Sequence, residues 1–312
     1  MENTKIALVQ EQPVHLDLKG SLNKALKLID EAAAEGATVI AFAELWLPGY
    51  PAWIDYCPNI GTWDDEGVKT AWANLYENSL EIEGPEMKAL QDKAAALQVI
   101  LAMGFHEVIN SGKGNSTIYN SFVIINKDGA ILNHHRKLMP TYNEKLVHGL
   151  GDGHGLKSVD TDAGKLGGLI CWEHWMPLSR QALHDEGEDI HFAFWPAIKE
   201  RHLLASRHYA FEGRCYVIAI GQIMQVKDVP KSLTLPSDWT DPEMMVLDGG
   251  SCIIGPDGNY LLEPQSGERD IYYFDLPSRT TLLKERMNLA TSGHYQRYDI
   301  FELKINKNRL KT

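Results

Sequence analysis

The sequence predicts an α/β fold, and three observations carry that expectation. Short apolar runs such as Lys5-Ile6-Ala7-Leu8-Val9-Gln10 and Thr38-Val39-Ile40-Ala41-Phe42-Ala43 alternate with longer segments whose apolar residues recur every three to four positions. Glycine and proline punctuate the joints, at Gly36, Gly84-Pro85 and Pro177. At 312 residues, 44% of them hydrophobic and 23% charged, the chain has the composition of an ordinary soluble globule and the length to bury a large core without staples.

Taken in order, residues 5–10 read as a buried strand. A helix follows, with Leu22, Ala25, Leu26, Ile29 and Ala33 on one face, and a second strand over 38–43 ends in Glu44. This β-α-β order implies a mostly parallel sheet covered by helices. Residues 45–72 read as a long aromatic loop carrying Trp46, Tyr50, Trp53, Tyr56 and Trp63, either a functional loop or a surface excursion pinned by its own aromatics. A helix over 86–98 and a strand over 99–105 come next. Lys127-Asp128-Gly129 then marks a hairpin between strands over 117–126 and 130–136. The glycine-dense run 149–155 lacks the lysine and strand-to-helix setting of a phosphate loop, and reads as turn chemistry near a pocket mouth. After Cys171 the pattern gives a helix over 178–186, a strand over 190–195, a helix over 200–214 and a strand over 215–221. A second loop spans 226–245, strands occupy 251–254 and 271–276, and a polar helix covers 279–288. No repeat, low-complexity linker or composition break appears, so residues 1–312 are expected to form one domain, with the segment from about 285 as a C-terminal tail.

Composition narrows the function. A formal net charge of -12 has the wrong sign for a general nucleic-acid or anionic-membrane binder. No apolar run is long enough to span a bilayer, and the first residues lack the basic and apolar regions of a signal peptide. The four cysteines, Cys57, Cys171, Cys215 and Cys252, show no tight pairing pattern; a reducing cytoplasm is the expected compartment. Metal-ligand motifs are missing: His134 and His135 are neighbours on a strand and point to opposite faces, and there is no paired Cys-x-x-Cys or His-Glu-x-x-His. Neither a metal nor a cofactor is expected.

The chemistry concentrates at Gly167-Gly168-Leu169-Ile170-Cys171-Trp172-Glu173-His174, where an apolar strand delivers a cysteine into aromatic and ionisable neighbours. A free cysteine is by default a small buried hydrophobe. Glu173 and His174 directly after a core strand, however, cost desolvation free energy that a plain core has no reason to incur. Glu44, Lys137 and Cys171 each follow an apolar strand-like run, and the carboxyl ends of strands are where α/β sheets bind ligands. A thiol, a carboxylate and a cation form a complete set for addition to an electrophilic carbon. With a free pKa of about 8.5 the thiol needs a base or a nearby cation, and a lowering of ~1.5 units corresponds to roughly 2 kcal/mol. Lys137 can supply that field and stabilise negative charge on the substrate, while Glu44 takes the thiol proton and later activates water.

Phe42-Ala43-Glu44-Leu45-Trp46-Leu47-Pro48-Gly49-Tyr50-Pro51, His135-Arg136-Lys137-Leu138-Met139-Pro140-Thr141 and Cys171-Trp172-Glu173-His174 resemble, in order and surroundings, the Glu-Lys-Cys triad segments of the nitrilase superfamily of carbon-nitrogen hydrolases. The similarity spans nearly the whole chain. Cys-Trp-Glu-His, Gly151-Asp152-Gly153, residues 208–215 and Gly293-His294-Tyr295-Gln296-Arg297 resemble the true nitrilases rather than the amidase and carbamoylase branches, which tend to carry Cys-Tyr-Asp. Two departures are Ala43, where many relatives have proline, and Tyr298, where proline is common.

The resemblance implies a four-layer α-β-β-α sandwich, a metal-free thiol mechanism, and assembly as homodimers that extend into larger homo-oligomers, some of them spiral. It also implies a second carboxylate after the lysine, here Glu144, orienting Lys137 and the substrate. Tyr50, Trp172, Glu173, His174 and Trp195 are the expected substrate-binding residues, with Glu173 behind the pocket wall. The expected reaction is hydrolysis of a small organic nitrile to the acid and ammonia through a covalent cysteine intermediate. An amidase or a cyanide hydratase or dihydratase would use the same triad, and a non-catalytic assembly protein is the alternative from another class.

Overall fold

In the computed structural model, which describes residues 4–310, the chain opens with β1 (Lys5–Gln10) and α1 (Leu18–Ala34). Asp17 starts α1 by accepting a hydrogen bond from the Gly20 N–H at 2.8 Å, and Ala25, Leu28, Ile29 and Ala32 turn one face inward. There follow β2 (Val39–Phe42), α2 (Trp53–Tyr56), α3 (Glu66–Glu77), α4 (Pro85–Leu97), β3 (Ile100–Ile109), β4 (Thr117–Ile125) and β5 (Ile131–Arg136). The second half supplies β6 (Val159–Thr161), β7 (Gly164–Ile170), α5 (Pro177–Glu186), β8 (Ile190–Phe194), α6 (Glu200–Gly213), β9 (Tyr216–Ile220), β10 (Ile223–Gln225), β11 (Met245–Ile254), β12 (Tyr260–Ser266), β13 (Asp270–Asp275) and α7 (Arg279–Asn288).

These strands make two sheets. One has the order β13-β1-β2-β3-β4-β5; the other runs β10-β11-β9-β8-β7-β6, with β12 also paired to β11. The sheets face each other across an apolar core in which the rings of Phe122 on β4 and Phe194 on β8 stack at 4.5 Å, and helices cover the outer faces, giving an α-β-β-α sandwich. Strands β1, β2, β8 and β9 are buried on both faces almost throughout, which explains why they read as continuous apolar runs.

Three expectations needed correction. The sheets are mixed: β1-β2-β3 and β7-β8-β9 are parallel, while the hairpins and β13 pair antiparallel. Sequential β-α-β order describes only the middle of each sheet. Residues 45–72 are not one loop, because α3 begins at Glu66, capped by Asp65 accepting from the Val68 N–H at 2.9 Å and burying Ala71 and Leu75. Strands β6, β10 and β12 went unread: β6 and β12 are only partly buried and β12 carries Pro264, while β10 is buried but only three residues long.

Candidate active site

Glu44 follows β2, Lys137 follows β5 and Cys171 follows β7, so two strand ends of the first sheet and one of the second converge. The approach is close. A Cβ on Gly104 of the neighbouring β3 would lie 2.3 Å from the Ala43 carbonyl and 3.0 Å from the Glu44 Cα, so only glycine lets β3 run beside this corner. Cys171 sits at φ +47°, the left-handed region that costs a non-glycine residue on the order of 1–3 kcal/mol. The sulfur is thus presented by a sharp strand-to-turn bend.

The ammonium of Lys137 is the hub. Its Nζ donates to Glu44 Oε1 at 2.9 Å and to Glu144 Oε1 and Oε2 at 2.9 and 2.7 Å, and all three side chains are fully buried. Asn120 Nδ2 donates to Glu44 Oε1 at 2.7 Å, whereas Glu44 Oε2 has no hydrogen-bond partner. Glu144 belongs to a single 3-10 turn over Tyr142–Leu146, where it accepts from the Thr141 N–H at 2.9 Å and from the Tyr50 hydroxyl at 2.8 Å. Donor atoms of Glu44, Glu144 and Cys171 lie within 4.8 Å of one another. That is the only three-residue His, Cys, Asp or Glu group with cation-binding spacing among the described residues. The position between its two carboxylates is taken by the Lys137 ammonium.

Burial, opposed by Lys137 and assisted by Glu144, raises Glu44 to about 7. Burial also pushes the Cys171 thiol well above its ordinary range; Lys137 opposes this, and Glu44 and Glu144 add to it. The field of Lys137 therefore does not ionise the sulfur by itself, because one cation is shared between two carboxylates in a desolvated site. A proton passing from Cys171 to Glu44 leaves the net charge of the cluster unchanged, and that is the inexpensive route to a thiolate here.

A cavity of about 240 Å³ opens onto this cluster, lined by Tyr50, Thr141, Glu144, Cys171, Pro196 and Ala197, with Asp55, Tyr142, Lys199 and Leu247 also on its wall. Tyr142 is 81% exposed, so the wall it forms faces solvent. The aromatic insertion divides: Tyr50, Ala52, Asp55 and Tyr56 line this cavity, while Trp53, Ile60, Trp63 and Trp72 line a separate apolar one of about 570 Å³ that touches none of the reactive groups.

Of the expected substrate contacts, Tyr50 is on the cavity wall and the other four are placed elsewhere. Trp172 is half-exposed and packs on Trp175. Glu173 is fully buried and turns back, accepting from Ile170 N–H at 2.7 Å, Leu138 N–H at 2.8 Å and His135 Nε2. His174 lies behind the Cys171 backbone, with Nδ1 2.9 Å from the Cys171 carbonyl oxygen, and is stacked on Trp195, whose indole N–H donates to Ser206. Glu173, His174 and Trp195 are drawn inward by buried backbone and side-chain partners, while Trp172 lies at the surface. Glu173 thereby ties the segment after Lys137's strand to the one before Cys171. The 149–155 loop is likewise absent from the cavity wall. Gly151 packs against the carbonyls of Arg136 and Lys137, and Asp152 accepts from Arg309 and from the Leu310 N–H, so the loop backs Lys137 and anchors the C-terminal segment.

Sequence reasoning missed Asn120 and Gln222. Gln222 Nε2 donates to the Glu44 carbonyl, and its oxygen accepts from the Tyr50 N–H at 3.2 Å, fixing both residues. A polar side chain buried beside an apolar strand was the available signal for each.

The Carbon-nitrogen hydrolase family model matches residues 5–285. The chain is 33% identical to an arylacetonitrilase of Aspergillus niger over 98% of its own length and 92% of that protein. It is 34% identical to an aliphatic nitrilase of Rhodococcus rhodochrous, over 97% and 79% of the two chains. The crystal structure of a carbon-nitrogen hydrolase from Helicobacter pylori G27 shares the fold, with a TM-score of 0.69, 18% identity and coverage of 96% of each chain.

Proposed function

The chain belongs to the carbon-nitrogen hydrolase family, on its nitrilase branch, and from that premise we propose that it hydrolyses a small organic nitrile to the carboxylic acid and ammonia. The observation that carries the reading is the junction of a buried thiol, one ammonium and two carboxylates beside a cavity sized for a small molecule.

In this reading Cys171 gives its proton to Glu44, and sulfur bonds to the nitrile carbon as one C–N π bond breaks. The nitrogen takes the proton and a thioimidate forms. Water adds to that carbon with Glu44 as its base, the C–N bond breaks, and ammonia leaves a thioester. A second water displaces the sulfur, which recovers its proton, so two waters are consumed per acid and ammonia formed. Lys137 stabilises negative charge on the nitrogen and on the tetrahedral intermediates, and Glu144 holds Lys137 in place. Asp55, Tyr142 and Lys199 give the cavity wall polar character beside Val246 and Leu247, which favours a small substrate of mixed polarity. We further propose that it works as a homo-oligomer in the cytoplasm.

Purified protein incubated with a panel of aliphatic, aromatic and arylacetonitriles tests the proposal by quantifying acid, amide and ammonia together. Acid with equimolar ammonia is expected. Amide as the main product assigns the site to hydration, and turnover of amides but not nitriles refutes the reading.

A further inference from the structure

Behind the nucleophile lies a second buried polar chain that the reaction as written does not use. His174 Nδ1 is 2.9 Å from the Cys171 carbonyl oxygen, His174 Nε2 is 3.0 Å from His191 Nε2, and His191 Nδ1 is 3.0 and 3.1 Å from the two oxygens of Glu188. The Tyr209 hydroxyl donates to Glu188 Oε2 at 2.5 Å. All four side chains are buried, and β7 makes room for them: a Cβ on Gly167 would lie 1.7 Å from Glu188 Oε1.

Counting donors fixes the protons. The Cys171 carbonyl only accepts, so His174 must carry its proton on Nδ1. His174 Nε2 then accepts, His191 must carry its proton on Nε2, and His191 Nδ1 must accept from Glu188. The chain closes only if the carboxyl of Glu188 holds a proton. With Glu188 ionised and both rings neutral, one acceptor faces another at some link.

We propose that Glu188, His191 and His174 are positioning residues that share one proton and hold the Cys171 main chain in its left-handed bend. The surroundings agree. Burial keeps both imidazoles well below their usual range, hence neutral, and raises Glu188 to about 7 despite its hydrogen bond from Tyr209. The charged and titratable groups facing the chain are Arg180, His184 and Glu186 from α5, the last of which adds to the rise at Glu188, Tyr209 and Glu212 from α6, and Glu173 from the turn after Cys171. Cys215 and Arg286, whose guanidinium donates to the Glu188 carbonyl, complete the set. Loss of the Glu188 proton at alkaline pH breaks the chain and loosens the bend. Glu44, also raised to about 7, gives the opposite limb because its ionised form is the base, and Lys137 and Cys171 titrate far higher, so an alkaline fall in kcat near neutrality belongs to this relay.

The relay deepens the proposed reaction and rests on Cys171 being its nucleophile. Glu188→Gln supplies a permanent donor to His191 while still accepting from Tyr209; Glu188→Leu supplies none. With a hydrolysed nitrile, Glu188→Leu is expected to lower kcat at least ~10-fold with KM within about twofold, whereas Glu188→Gln restores most of that loss and lacks the alkaline fall. Equal losses in the two variants, or an unchanged alkaline limb in Glu188→Gln, overturn the proposal. Alkylation of Cys171 by iodoacetamide, read in the same variants, needs no nitrile. If the wild type hydrolyses no nitrile yet alkylation follows the same pattern, the reaction assignment falls and the relay stands. Should Glu188→Leu not fold, imidazole ¹⁵N-¹H spectra of the wild type decide: protons on His174 Nδ1 and His191 Nε2 support the relay, and the opposite tautomers refute it.

Discussion

Adjacent residues of one strand end, Arg136 and Lys137, each reach a buried glutamate, and the two pairs behave oppositely. Arg136 meets Glu107 through two hydrogen bonds, at 2.9 and 2.5 Å, and Glu107 also receives Ser121 Oγ at 2.7 Å and lies 2.8 Å from His134 Nε2. Despite burial, these partners hold Glu107 well below the usual carboxylate range. Lys137 must serve Glu44 and Glu144 together, and there burial wins, raising Glu44 to about 7. The ingredients are alike; the ratio of carboxylates to cations differs. A one-to-one ratio with ample donors locks a proton out and makes structure, whereas two carboxylates on one ammonium leave a proton mobile near neutral pH and make chemistry.

The strongest break of this contrast is Cys171→Ala, which removes the group whose proton is exchanged. Turnover is expected to fall on the order of 10⁴-fold or more, while the melting temperature moves by only about 2–4 °C, because a buried sulfur is replaced by a small void. Calorimetry beside an ammonia assay checks both. Residual turnover within 100-fold of wild type, on the order of what a neighbouring general base alone supplies, would place the nucleophile elsewhere.

Glu44→Gln sharpens the comparison because activity and stability should separate. Loss of the base is expected to lower kcat by about 10²–10⁴-fold. The folded pKa of Glu44 lies above its ordinary 4.5, so its favourable contribution is present below about 4.5 and is lost as pH rises through about 7. Glu44→Gln should thus be more stable than wild type at pH 8 by about 3 kcal/mol, from a shift of roughly 2.5 units. Wild-type kcat/KM should decline on acidification below about pH 7 as Glu44 takes up a proton. Glu107→Gln supplies the opposite case. Arg136 is left buried without its partner, so about 3–5 kcal/mol of stability should disappear at neutral pH. In the wild type the Glu107 contribution is present above about 4.5 and is lost as pH falls below it. Urea unfolding of both variants at pH 5 and pH 8 tests the pair; a stabilising Glu107→Gln would end the contrast.

Glu44 and Cys171 were legible because each follows an apolar run that a buried strand explains, Val39–Phe42 and Gly164–Ile170; Lys137 follows β5, whose last four residues are polar, and was legible only through the resemblance of residues 135–141. Their environment was not. That Glu173 reaches the Leu138 amide depends on where distant strand ends meet, while its bond from the Ile170 amide and the approach of His174 to the Cys171 carbonyl are made three residues away and depend on the left-handed bend at Cys171. Such partners leave no periodic trace. The α3 helix was obscured for another reason: Trp63 and Trp72 made residues 45–72 read as one aromatic loop, although Asp65 and the Val68, Ala71, Leu75 spacing carried a helix signal. Direction of strand pairing escaped for want of any local marker beyond the one hairpin turn at Gly129.

The smallest expected effect tests how much the second carboxylate depends on its own partners. Tyr50→Phe deletes one of the donors to Glu144; Lys137 Nζ and the Thr141 N–H remain, so Glu144 should stay in place. A hydrogen bond to a charged group contributes about 1.5–3 kcal/mol, and part of that is recovered by the remaining donors, so kcat should fall only about 3–10-fold. KM should rise little if Tyr50 acts through Glu144. If instead kcat/KM drops by more than about 100-fold, with KM carrying much of the change, the hydroxyl is bonding the substrate itself. In that case the cavity wall, and not only the carboxylates around Lys137, would set the charge balance at the sulfur.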